Sequence, residues 1–209
     1  MRGHYADFDF EIALVPPASG PYSVIYFNAP MSQPGAFGEA FAIDFRNLIP
    51  YDSAGVNVNV LLTGPLATRE NLVAFSSFVG SHELGHVVGL RHGSSHGPIG
   101  AGISAYPGNA AYSPPFPGPP TATETGDHVM ASPETGQTLD ELLTEKFFGE
   151  RSAIRLAFNE HGHVVDETAS PHATVQTAMP IELRWLPASG PRPPRPAQPS
   201  VKREGSASL

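Results

Sequence analysis

The chain has 209 residues, 40% of them hydrophobic, with a net charge of −8 and no cysteine. This length and hydrophobic content fit one domain with one core. The absence of cysteine excludes a disulfide framework, thiolate zinc sites and a cysteine nucleophile. Acids outnumber Lys and Arg over residues 1–158 and no apolar run has transmembrane length, so we expect neither nucleic-acid binding nor a membrane segment.

The first third of the chain has the pattern of strands. Alternating apolar positions or runs of β-branched and aromatic residues predict a strand, and Pro- or Gly-containing turns bound each run. The four predicted strands are residues 8–15, 22–29, 40–45 and 56–62. With the helices that follow, they predict an α+β domain whose sheet has about four strands.

The pattern then becomes helical. Residues 68–90 contain no proline, and Thr68 is suited to be the N-cap. Gly89 lies near the expected end of this helix. Apolar and histidine side chains recur at offsets of three and four, which places them on one face of the helix. They are Phe75, Val79, His82 and His86.

Further helices are expected after a Gly- and Pro-rich loop at 93–127. Thr138 and Glu141 form a capping-box pattern before the apolar run at 139–148, and 151–158 continues with helical spacing. The end of the chain, above all 187–209, is rich in proline and serine. We therefore predict a folded domain at 1–165 and a largely disordered tail at 166–209.

The sequence "HELGHVVGLRH" (82–92) carries the chemistry. His82 and His86 lie one helical turn apart, so both imidazoles reach one ion. Gly89 permits a sharp turn that returns His92 to the same ion. Three neutral histidines leave one position open, as in catalytic zinc sites. Glu83 follows the first ligand and is placed to exchange a proton with a water on the metal.

The alternative interpretation is a helix that carries surface histidines without an ion. Two independent features argue against it: the motif lies on a helix by its periodicity, and Gly89 falls where that helix should end. His96 and His128 are additional histidines in this region. We expect His96 to be a solvated loop residue and His128 to be structural or exposed.

The motif resembles that of the metzincin clan of zinc endopeptidases, and the preceding strands resemble matrixin-like catalytic domains. The clan has a methionine turn beneath the metal and then a C-terminal helix. Met130 and the capped run at 138–148 match that order. The resemblance implies a mixed, twisted sheet, one catalytic zinc on His82, His86 and His92, and Glu83 as general base. It also implies export from the cell.

The resemblance further implies an extended polypeptide substrate, paired with an edge strand for which 40–45 is the candidate. Some members place a tyrosine two residues after the methionine, where this chain has Ser132. Members often carry structural calcium, but Asp44, Asp52 and Asp127 are too scattered for us to assign such a site. The oligomeric state is left open.

A complete metzincin domain begins with a strand and a long helix, whereas the first strand predicted here begins at residue 8. We therefore expect the chain to lack those two elements, together with any export signal. This motivates a second hypothesis, a zinc-binding module with weak or no catalytic activity. A third hypothesis is an interaction protein that uses the Pro-rich segment 187–209 as a ligand.

Overall fold

The computed structural model describes residues 1–19, 22–44, 47, 49, 51–103, 115, 118, 124–132 and 136–159. All of them belong to one compact unit, Met1–Gly162. The predicted boundary at 165 and the predicted tail at 166–209 lie outside the described residues.

The described residues form a three-stranded mixed sheet. Its strands are β1 (Val24–Phe27), β2 (Gly38–Ala40) and β3 (Ser53–Val56). Their order is β1-β3-β2, with β3 parallel to β1 and antiparallel to β2. The outer edge of β2 pairs with no described strand, and β2 lines the same cavity as His82 and His86.

The expected strand at 8–15 is wrong, which is why the sheet has three strands and not about four. Residues 2–9 form consecutive turns, and no ladder follows at 10–15. Phe8, Phe10 and Ile12 instead pack beside buried Tyr5. Their alternation therefore reflects burial of one side of an irregular segment, a pattern that a strand shares.

Two other strand boundaries were also misplaced. The strand predicted at 40–45 ends at Ala40, and the strand predicted at 56–62 ends at Val56. A short 3₁₀ helix, Val58–Val60, follows the second. The Asn57 side chain accepts a hydrogen bond from the Asn59 N–H at 3.3 Å, and this local bond competes with a strand ladder.

The long helix α1 spans Arg69–Val87, close to the predicted range. The Thr68 hydroxyl accepts from the Asn71 N–H at 3.1 Å and so caps its first turn, as predicted. Beyond its end, Gly89 has a φ of +92°, a left-handed conformation that glycine adopts without strain. The inner face of α1 packs on the sheet through a cluster that includes Val56, Phe75, Phe78 and Val79.

Two further α-helices among the described residues are α2 (Leu139–Leu142) and α3 (Glu150–Asn159). Thr138 and Glu141 form the predicted capping box of α2, which is only one turn long. A second core cluster joins the end of α1 to α3 and contains Tyr5, Val88, Leu90, Val129, Met130 and Leu156. Within the described part of the chain, no helix is both long and apolar enough to cross a membrane.

Candidate metal centre

The three histidines of the motif converge. His82 and His86 project from successive turns of α1, with ring centroids 4.8 Å apart. After the turn at Gly89, a 3₁₀ helix, His92–Ser95, brings His92 back to within 5.1 Å of His82 and 5.0 Å of His86, again between ring centroids. One ligand atom from each of the three lies within 4.8 Å of the others. The structure thus brings together the three predicted ligands.

Backbone carbonyls orient the two helical histidines. His82 Nδ1 lies 2.7 Å from the carbonyl oxygen of Val129, and His86 Nδ1 lies 2.9 Å from that of Leu90. A carbonyl only accepts hydrogen bonds, so each Nδ1 carries the proton and donates it. Each Nε2 then presents a lone pair to the common centre, which is how carbonyl partners orient metal-binding histidines.

The electrostatics favour neutral imidazoles. Burial, reinforced by the neighbouring His92, lowers the pKa of His82 to about 3. Burial also lowers the pKa of His92 to about 4, and that of His86 falls well below its usual value for the same reason. At neutral pH all three are therefore uncharged, which is the form that binds a metal.

The separation between the nitrogens of His82 and His92 suits a small tetrahedral ion. Zinc–nitrogen bonds of about 2.0–2.1 Å place two ligand nitrogens roughly 3.3 Å apart in a tetrahedron. The Nε2 atoms of His82 and His92 are 3.1 Å apart. The donor set therefore fits zinc, although imidazole nitrogens also bind other divalent transition metals. Among the described residues, this is the one group of His, Asp or Glu close enough to hold an ion.

Glu83 lies between the histidines and β2. Its side chain is 7% exposed, and an added Cβ at Gly38 would collide with its carboxylate. Burial raises the pKa of Glu83 to about 8, a hydrogen bond with the backbone of Ala40 opposes that rise, and the charge of Glu39 adds to it. This carboxyl group is thus held at the edge strand, beside the predicted ligands, in a medium that favours its protonated form.

Met130 lies beneath the histidines, where the resemblance places the methionine turn. It is fully buried, and an added Cβ at Gly85 would collide with its sulfur atom. Gly85 lies between His82 and His86 on α1, so the sulfur packs under the part of the helix that carries the ligands. The adjacent residue, Val129, supplies the carbonyl for His82.

A cavity of about 570 Å³ opens beside the histidines. Its lining includes residues of the segment 33–40, which contains β2, together with Ala131, Ser132, Gln137 and Leu142. Phe75 and Phe78 of α1 give it an apolar lining next to His82 and Glu83. The edge strand beside the cavity is Gly38–Ala40, so the candidate edge at 40–45 was placed too late in the sequence.

Helix α3 holds the loop that carries the third histidine. Arg155 Nη1 donates to the Gly89 carbonyl at 3.2 Å, and Arg151 Nε donates to the His96 carbonyl at 2.8 Å. Arg151 Nη2 also donates to the carbonyl of Ala101 at 2.7 Å. The sequence predicts no role at the site for these two arginines. The i, i+4 spacing of the two arginines shows that they share a face but not what that face contacts.

The structure also buries two further histidines. His96 was predicted to be solvated, and His128 was predicted to be structural or exposed. His96 is 6% exposed, so the expectation of a solvated residue is wrong. His128 is 8% exposed and stacks edge-on against Phe147, with ring centroids 4.7 Å apart. Neither belongs to the group of three close ligands.

Glu124 is a further residue near the site for which the sequence predicts no role. Both of its carboxylate oxygens accept from Ser132, one from the N–H and one from the hydroxyl, each at 2.7 Å. The Ser95 hydroxyl lies 2.7 Å from the same carboxylate. A lone acid in a Gly- and Pro-rich stretch has no periodicity that would reveal such contacts.

Comparisons of the chain with protein-family models, with curated proteins and with solved structures found no match in any of the three.

Proposed function

We propose that this protein is a zinc-dependent endopeptidase. The observation that supports this most directly is the convergence of three neutral imidazoles and a buried carboxyl group in the lining of one cavity. Three nitrogen ligands leave a coordination position open, as catalytic zinc sites do and closed structural sites do not. The resemblance to metzincins supports the peptide as the substrate class.

His82, His86 and His92 would hold the ion through nitrogen atoms. When bound, zinc would supply Lewis acidity, which makes water a stronger nucleophile at neutral pH and polarises the scissile carbonyl. Glu83 would take the proton from the attacking water and deliver it to the leaving amine. Its buried position suits both roles, since a carboxyl group whose pKa lies near the working pH both accepts and donates a proton.

The outer edge of β2 would bind the substrate in extended form. A peptide added along this edge gains main-chain hydrogen bonds, while adjacent pockets select side chains. The cavity lies beside that edge and is lined by Phe75, Phe78 and Leu142. We therefore propose that it receives an apolar side chain of the substrate.

The test is Glu83→Gln. This variant should bind one equivalent of zinc but should not cleave casein or a quenched peptide library, because the amide cannot accept the proton. Glu70→Gln, an exposed change in the first turn of the same helix, is the control and should retain activity. Cleavage by Glu83→Gln at the wild-type rate would exclude Glu83 as the base. Zinc binding without cleavage by the wild-type chain would support the second hypothesis, a non-catalytic zinc-binding module.

A further inference from the structure

We propose that Glu124 is a positioning residue for the metal centre, tying the loop of the third ligand to the methionine turn. The inference rests on the proposed zinc site, and its test measures zinc binding independently of peptide cleavage.

The third ligand needs positioning that the first two do not. His82 and His86 are fixed relative to each other because both belong to α1. His92 lies beyond the turn at Gly89, in a 3₁₀ helix of four residues, His92–Ser95. Short helices of this kind have little stability of their own. The distance from His92 to the other ligands therefore depends on what holds this segment in place.

Glu124 contacts that segment and the methionine turn with one carboxylate. Its Oε1 lies 2.7 Å from the hydroxyl of Ser95, three residues after His92. The same Oε1 accepts from the N–H of Ser132, and Oε2 accepts from the Ser132 hydroxyl. Ser132 follows Met130 by two residues, so the carboxylate bridges two segments that approach the ligands from different parts of the chain. Hydrogen bonds to a carboxylate are stronger than those between neutral groups.

The neighbouring contacts extend this bridge. The Ser95 hydroxyl also lies 2.6 Å from the carbonyl of His92, so its single proton lies between that carbonyl and Glu124. The backbones of His96 and Glu124 form an isolated antiparallel bridge. Displacing Glu124 would therefore disturb His92, through its carbonyl, and also Ser95 and His96, which follow it.

Glu124 has the position of an outer residue of the metal centre. It contacts the segment of His92 and the segment of Met130 but is not one of the three close ligands. Outer residues that orient metal ligands typically change metal affinity by about 10–100-fold when they are replaced.

Two substitutions separate geometry from charge. Glu124→Ala removes all three hydrogen-bond contacts, and we expect zinc affinity to fall about 10–100-fold. Glu124→Gln keeps an amide oxygen that can accept from the Ser132 N–H and the Ser95 hydroxyl. Its amide NH₂ can donate to the Ser132 hydroxyl oxygen once that hydroxyl rotates its own hydrogen away. It should therefore recover most of the affinity. Glu70→Ala, an exposed change on α1, is the matched control and should bind zinc as the wild type does.

The experiment uses the full chain, with zinc affinity measured by competition against a chromophoric chelator. The visible spectrum of the cobalt-loaded protein reports ligand geometry and should change in Glu124→Ala but not in Glu124→Gln. Wild-type affinity and an unchanged cobalt spectrum in Glu124→Ala would overturn the inference.

If Glu124→Ala does not fold, the double change Ser95→Ala with Ser132→Ala removes both hydroxyl contacts and leaves the Ser132 N–H. It should lower affinity toward the smaller end of the same range, and wild-type affinity in this variant would overturn the inference. A wild-type chain that takes up no zinc would overturn the proposed function as well, so the two failures are distinguishable.

Discussion

The Nδ1–H of His82 donates to the carbonyl oxygen of Val129 at 2.7 Å, across 47 positions of the sequence. The His82 imidazole is thus oriented by the residue that precedes Met130. One docked segment therefore both packs against α1 and orients His82. A change that displaces Met130 should alter both stability and metal binding.

Gly85→Ala tests this relationship. Alanine in a helix normally stabilises relative to glycine by about 1 kcal/mol. Here the added Cβ would collide with the sulfur of fully buried Met130, so we expect a lower Tm and weaker zinc binding. Gly80→Ala is the matched control on the same helix, where the added Cβ would meet the sulfur of Met1 and the edge of the half-exposed Phe27 ring, not the buried Met130. A Tm for Gly85→Ala equal to or above that for Gly80→Ala would show that Met130 is not packed as described.

His92→Ala tests the third ligand. Removing a direct ligand should lower zinc affinity by more than the roughly 10–100-fold that loss of an outer partner costs. His96→Ala is the control, because His96 is a nearby buried histidine that is not among the three close ligands. It should retain one equivalent of zinc on metal analysis. Zinc loss in His96→Ala but not in His92→Ala would reverse the assignment.

The stability of the metal-free protein should depend on Glu83 in a pH-dependent way. Its pKa is about 8 in the folded chain, against 4.5 in the unfolded chain. Because the pKa is raised on folding, the contribution of Glu83 to the free energy of unfolding is fully present below pH 4.5. It is lost as the pH rises toward 8. Glu83→Gln does not titrate. The free energy of unfolding of the variant, relative to that of the wild type, should therefore rise between pH 5 and pH 8. The total rise should be on the order of a few kcal/mol.

Urea unfolding of both metal-free proteins at several pH values measures this difference. The buried histidines act with the opposite sign, because their lowered pKa values remove stability as the pH falls below 6.5. They are common to both proteins, so their effect cancels in the comparison. A difference between the two proteins that is constant over pH 5–8 would contradict the raised pKa of Glu83. Bound zinc should shrink the difference, since a nearby cation favours the ionised carboxylate.

The parts of the site that sequence could predict are those fixed by local geometry. Histidines four apart on a helix must share a face, and Thr68 and Gly89 mark the two ends of the segment with their own chemistry. The strands were less predictable because each has only three or four residues. Two segments have the alternating pattern of a strand but form no ladder. In one, the Asn57 side chain caps a 3₁₀ helix; in the other, Phe8 and Phe10 pack one side of an irregular segment against the core.

Contacts that join distant segments had no signal in the sequence. Glu124 reaches Ser95 from 29 positions away, and Arg155 reaches Gly89 from 66. The type and spacing of these residues are compatible with many surface roles. Only the fold shows that they converge around the loop of the third histidine.

The two helical histidines, His82 and His86, differ in how much of the chain must fold before each imidazole is oriented. The carbonyl that holds His86 is only four residues away, so this imidazole can be oriented as soon as α1 and its turn have formed. The carbonyl that holds His82 requires closure of a loop of 47 residues, which is slower and entropically more costly. We therefore expect His86 to be oriented when the helix forms, and His82 only when the segment that contains Val129 and Met130 has docked.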